Sequence, residues 1–240
     1  MDTPHDTHVD HTRLRGEWQD AGLISLVGPT AADFLQGYVT CDTARLTPDT
    51  ALPMAICNLK GRVVASGWLL ASSAGIDLLV HASLVAHVQA FLKPYVTFSK
   101  CSFAADQDRV VKVNSPQASI ALAPDVMLQI DEPDVGATDC SQALNTYLIS
   151  AGFAFVSKPV SEKFLPQVLN LDNQGAVDFD KGCYLGQEVV ARAQFRGAVK
   201  RHLISFTDAA LPHVGDPWGE NGTVVAIDEQ GFGLASVKTE

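Results

Sequence analysis

No apolar run in this sequence approaches the roughly 18 residues that a membrane-spanning helix needs, and the polar stretch 1–15 lacks the apolar core of a secretory leader. Neither membrane insertion nor export is expected, and the sequence predicts a cytoplasmic protein. No two of the five cysteines form a C-x-x-C pair, which excludes a zinc knuckle and a thioredoxin motif. Cys41, Cys57, Cys101, Cys140 and Cys183 are odd in number and scattered, the pattern of free thiols in a reducing compartment. Neither G-x-G-x-x-G nor G-x-x-x-x-G-K-[ST] occurs at a strand-to-helix turn, so no Rossmann or P-loop nucleotide site is offered. Basic residues are also in deficit. Against 27 Asp and Glu stand 17 Lys and Arg, a net charge of −10 that argues against attraction of the whole surface to nucleic acid or anionic membrane.

What the chain does have is an ordinary apolar fraction, 47% over 240 residues, enough for one large core or two packed subdomains. Residues 1–20 read as a mobile arm. Its His5, His8 and His11 recur every third residue, but a solvated tail explains them as well as a metal site, and no metal is assigned. Strands are expected at 21–27, 51–59, 62–71 and 76–81, with the Asn58-Leu59-Lys60-Gly61 turn closing a hairpin. Thr30 with Asp33 has the form of a capping pair opening a short helix. A second helix starts at Ser83 and is expected to stop at Pro94. Short strands at 109–113, 120–123 and 126–131 precede a helix over 139–150 that Gly152 ends. Strands and helices in this order predict antiparallel α+β subdomains. From about residue 200, three short β-like runs among Pro and Gly turns make a small β module that leans on the main domain.

One segment concentrates reactive chemistry. In Lys181-Gly182-Cys183-Tyr184-Leu185-Gly186-Gln187-Glu188, two glycines let the backbone bend or approach a ligand. Lys181, two residues before Cys183, would favour a nucleophilic thiolate if both share an exposed loop; alternatively Cys183 is a small buried hydrophobe. Glu188 and Arg192 are i, i+4 neighbours, which suits a helix-surface ion pair. A carboxylate there also suits the donor edge of a pterin. Between 181 and 201 five basic residues meet one acid, a patch for an anionic ligand or RNA, or a solvated helix face.

These residues resemble the K-G-C-[FYW]-x-G-Q-E hallmark of the YgfZ group of folate-binding proteins, relatives of the aminomethyltransferase (T-protein) of the glycine cleavage system. The likeness extends through Phe164-Leu165-Pro166-Gln167, Asn170-Leu171, Val190-Ala191-Arg192-Ala193, Phe195-Arg196-Gly197-Ala198 and Lys200-Arg201, and reappears at Leu35-Gln36-Gly37, Val39-Thr40, Asp42, Cys57 and Lys60-Gly61. The resemblance implies an α+β fold of ferredoxin-like antiparallel subdomains around a folate cavity (21–199), followed by a small C-terminal β-barrel-like module (200–240). That module is shorter than in relatives, which continue through further barrel strands. The implied cofactor is tetrahydrofolate or a derivative, and the implied role is accessory: assembly or repair of iron–sulfur enzymes, with linked effects on tRNA modification. The partners are then iron–sulfur proteins or their assembly factors. By position, Cys183 is the motif thiol, Lys181 its basic neighbour and Glu188 the pterin contact, with Tyr184, Gln187 and Arg192 beside it. Two tryptophans usual at the folate cavity are replaced here by Ala21 and Leu144, leaving Trp18 and Tyr147 as substitutes. A folate-dependent aminomethyltransferase and an RNA-binding module are the alternatives, and a conventional enzyme is the less favoured of the functional classes.

Overall fold

The computed structural model describes residues 14–105, 108–197 and 199–238. In chain order the elements are β1 (Gly16–Glu17), β2 (Ala21–Val27), α1 (Ala31–Gln36), β3 (Leu52–Cys57), β4 (Val63–Ser72), β5 (Gly75–His81), α2 (Val85–Val96) and β6 (Ser102–Phe103). They continue with β7 (Val110–Val113), β8 (Ile120–Ala123), β9 (Val126–Asp131), α3 (Ser141–Ser150), α4 (Gln187–Arg196), β10 (Arg201–Thr207), β11 (Pro217–Trp218), β12 (Gly222–Ile227) and β13 (Phe232–Lys238). The strands make three sheets, ordered β3-β4-β5-β2-β6, β1-β7-β9-β8 and β10-β13-β12-β11. Every strand pairing within them is antiparallel. The expected mixed α and β architecture with antiparallel sheets is therefore what the chain adopts.

The first sheet carries the core. Val63 to Leu70 of β4 are buried without alternation, because the strand is covered on both faces, and the sequence accordingly reads as a continuous apolar run. Ser66 is a polar exception that the fold satisfies. Its hydroxyl donates to Ala154 O at 2.6 Å and accepts from Val156 N at 2.9 Å, tying residues 153–156 across the sheet. Trp68 stacks on Phe153 with ring centroids 4.4 Å apart, and Trp18 lies against Trp68 and Phe155 at 6.0 and 5.0 Å.

Four expectations need correction. The arm does not extend to residue 20: Leu14 and Trp18 are buried, and β1 pairs with β7. Apolar burial recruits this segment, while residues 1–13, with the three spaced histidines, lie outside the described residues. Pro94 does not end α2, which runs two residues farther, to Val96, because Leu92 and Val96 are buried against the core and hold the last turn in place. Thr30 makes no side-chain cap to α1. The Gly28-Pro29 turn already supplies Gly28 O to Ala31 N, and Thr30 sits at ψ 15 rather than in the extended conformation a cap needs. Finally, the C-terminal module is an open sheet, with a fourth strand, β11, and with β10 and β11 at its edges; no barrel closes among the described residues. It leans on the main domain as expected, with Asn145 donating to Ile227 O and Thr146 to Asp228.

Candidate functional site

The motif segment is built onto the first sheet by hydrogen bonds from both sides. Asp178 N donates to Thr40 O and Leu185 N to Gly37 O, while the Thr40 hydroxyl donates to Ala176 O and accepts from Ala55 N. Gly186 then opens α4 with φ 84, a left-handed conformation that glycine adopts without cost. A Cβ there would lie 2.3 Å from Asn58 O, so the α4 entrance and the β3–β4 turn are in backbone contact. Gly61 answers from the turn, its φ 68 backbone lying against Val189. Gly182 differs, since it faces open space and has no positive φ. The two motif glycines thus serve unequal purposes, and close backbone approach belongs to Gly186.

Lys181 and Cys183 diverge. The Lys181 ammonium is buried and donates to three backbone carbonyls, Gln36 O and Val39 O at 2.8 Å and Cys41 O at 2.7 Å, which uses all three of its donors. It also lies 5.3 Å from the Tyr184 ring centroid. Burial holds its pKa below the usual lysine value, with Cys41, Asp42 and Asp178 pulling the other way. Cys183 instead faces solvent. The lysine therefore acts as a clamp on residues 36–41, and the sequence expectation that it activates Cys183 is not met: its donors are committed inward. The thiol that feels the ammonium is Cys41, whose pKa burial nevertheless pushes up to about 12. Tyr184 is buried and its phenol is pushed up, first by burial and then by Cys57. Gln187 turns back on the motif, its Oε1 accepting from Tyr184 N at 3.3 Å.

Glu188 and Arg192 are exposed on α4 and form no ion pair with each other. Glu188 leaves its carboxylate without a partner among the described residues, near exposed Val189. Trp18 is not brought to this motif. Trp18 is 2% exposed inside the aromatic cluster, and the void it borders is about 60 Å³, well short of the roughly 300 Å³ at which small-molecule sites begin. Tyr147 is partly exposed on α3, its phenol pushed up by burial and then by Asp125.

Sequence reasoning missed Asp172. Its Oδ1 is buried without a hydrogen-bond partner, a state that costs about 1–3 kcal/mol unless a ligand or water supplies a donor. The Asp172 turn is tied to the end of α3, one turn beyond Tyr147, by Gln174 Nε2 donating to Ala151 O at 2.8 Å. The only signal in the sequence was the neighbouring Asn170-Leu171. A cleft of about 1190 Å³ lies elsewhere, between the β1-β7-β9-β8 sheet, α3 and the β12–β13 turn, and none of the sequence-expected site residues lines it. Among the described residues no helix is long and apolar enough to cross a membrane, and no group of three or more His, Cys, Asp or Glu is placed to hold a metal.

No family model matches the chain. Curated relatives do. The tRNA-modifying protein YgfZ of Escherichia coli O157:H7 is 32% identical over 86% of this chain and 78% of its own. That of Klebsiella pneumoniae is 32% identical with the same coverage, and that of Cronobacter sakazakii 31% over 87% and 78%. Among solved structures, the glycine cleavage system aminomethyltransferase T from Bartonella henselae superposes with a TM-score of 0.60 over 95% of this chain and 80% of that one, at 14% identity. The sequence likeness to these relatives, on an architecture shared with the aminomethyltransferase, establishes that the chain belongs to the YgfZ family.

Proposed function

We propose that this protein binds tetrahydrofolate or a derivative and acts as an accessory factor in the assembly or repair of iron–sulfur enzymes, affecting tRNA modification through them. The single observation that carries the folate reading is the buried, unpartnered carboxylate oxygen of Asp172 on a fold shared with an aminomethyltransferase. A pterin presents a row of N–H donors at its pyrimidinone edge, and such an orphaned acceptor is the partner that row needs. Glu188 supplies a second, exposed acceptor. In this reading Asp172 orients the ring, Tyr147 on the adjoining helix offers an aromatic face, and Lys181 keeps residues 36–41 in register rather than reacting. The exposed Cys183 makes the contact with partner proteins.

The aminomethyltransferase alternative has the fold in its favour, but 14% identity speaks to the fold alone. Titration with 5-formyltetrahydrofolate, followed calorimetrically, is expected to show saturable binding that Asp172→Asn weakens by roughly tenfold or more and Glu188→Gln weakens less. Absence of binding by the unaltered protein would remove the folate reading. The accessory role is tested in cells lacking the protein: Cys183→Ser should fail to restore iron–sulfur enzyme activities, and full restoration would free Cys183 of its proposed part.

A further inference from the structure

A groove of about 370 Å³ opens where the end of α4 meets the C-terminal sheet. Five cationic side chains line it: Arg62, Lys163, Lys200, Arg201 and Lys238. Among the described residues no acid does, in a chain where acids outnumber bases 27 to 17. The apolar part of the wall comes from Phe164, Leu165, Val168, Val199 and Ala193 of α4. The groove is separate from Asp172, Tyr147 and the motif thiol, none of which lines it.

Its electrostatics are unbalanced within the fold itself. Arg201 and Lys238 are direct cross-strand partners in the β10–β13 register, an arrangement in which like charges repel. None of the five cations forms an ion pair among the described residues. Two are nonetheless held in place through uncharged acceptors. The Arg201 guanidinium donates to Asn221 O at 2.8 Å and Ser236 O at 3.3 Å, and Arg62 donates to Lys163 O. The ammonium groups of Lys163, Lys200 and Lys238 make no hydrogen bond among the described residues. Fixed guanidinium groups, adjustable ammonium groups and an apolar floor together form the recognition surface of a small amphipathic anion.

We infer that this groove binds a small organic anion that carries at least two negative charges, as phosphate or carboxylate, on an apolar body. The volume lies in the range of small-molecule sites. An extended phosphate backbone fits less well, because the cations converge on one pocket instead of tracking along a surface. The inference is independent of folate binding.

The test uses the full chain and three probes in calorimetric titrations: naphthyl phosphate, naphthalene dicarboxylate and uncharged naphthol. Naphthyl phosphate or the dicarboxylate is expected to bind, the stronger of the two identifying the anionic group, and naphthol is not. Lys200→Glu/Lys238→Glu should weaken that binding by roughly tenfold or more while leaving tetrahydrofolate affinity unchanged. Both lysines are exposed, and the single variant Lys163→Ala, expected to weaken binding less, covers the case in which the double variant misfolds. Equal binding by the charge-reversed and unaltered proteins would overturn the inference. So would equal binding of naphthol, or binding of single-stranded RNA with no binding of either small anion.

Discussion

Replacing Lys181 by Met keeps an unbranched stem of similar reach and removes the ammonium. Three carbonyls, Gln36 O, Val39 O and Cys41 O, then lose a donor in a site where Lys181 is 8% exposed. Each buried acceptor left short costs about 1–3 kcal/mol, and the variant is relieved of the several kcal/mol spent on burying a charge. The net expectation is a loss of about 2–5 kcal/mol, large beside the typical 5–15 kcal/mol of a folded domain. Urea unfolding followed by tryptophan fluorescence measures it, and Trp18 and Trp68 in the core make the signal sensitive. A paired measurement separates a clamp from an activator. The rate at which iodoacetamide alkylates Cys183 in the folded protein should change by less than about twofold, because the ammonium is committed to carbonyls on the inner side. A variant as stable as the parent, or one folded but with the Cys183 rate down by tenfold or more, would refute the clamp and return Lys181 to the role its spacing suggested.

Gly186→Ala forces a left-handed residue with a Cβ 2.3 Å from Asn58 O, so it should cost about 2–4 kcal/mol by urea unfolding; Gly182→Ala, facing open space, should cost less than about 1 kcal/mol. A thiol reagent added to the folded protein should modify one cysteine quickly, Cys183, and the other four only on unfolding, since those are buried; mass spectrometry of the tryptic peptides reads the result. Glu162 has its pKa lowered mainly by the Asn58 amide, opposed by burial and aided by His87. Its contribution to stability is therefore complete above its ordinary value of 4.5 and is lost as the pH falls through the lower folded value. In Glu162→Gln the stability difference from the parent should shrink over that acid window, as read from urea midpoints across pH; a constant difference would show that the carboxylate's charge is not engaged.

The elements themselves were mostly legible. Strands β2, β8 and β9 begin and end where the apolar pattern and turn residues place them, because alternation and punctuation are local signals. The family was legible for a related reason: an eight-residue stretch with two glycines, a lysine and a cysteine at fixed spacing is too specific to arise from composition. Less legible were features that depend on what packs against what. Local propensity says that Pro94 stops a helix, but burial of Val96 carries the helix past it. Pattern alone made residues 14–20 a tail, yet Leu14 and Trp18 fill core positions that other elements prepare. Asp172 is marked in sequence only by the neighbouring Asn170-Leu171; that its Oδ1 is left without a partner is decided by the fold.

The motif shows the division most clearly. By itself the sequence set Lys181, Cys183 and Gly186 in one short stretch and determined which family that stretch marks. Tertiary structure alone decided that the stretch points two ways. Lysine and cysteine two residues apart read as neighbours on a line, but the chain bends over the first sheet, and the three carbonyls at the end of α1 and beyond draw the ammonium inward. The thiol is left at the surface. Which charge meets which partner is a property of three-dimensional proximity, and the linear spacing carries no information about it.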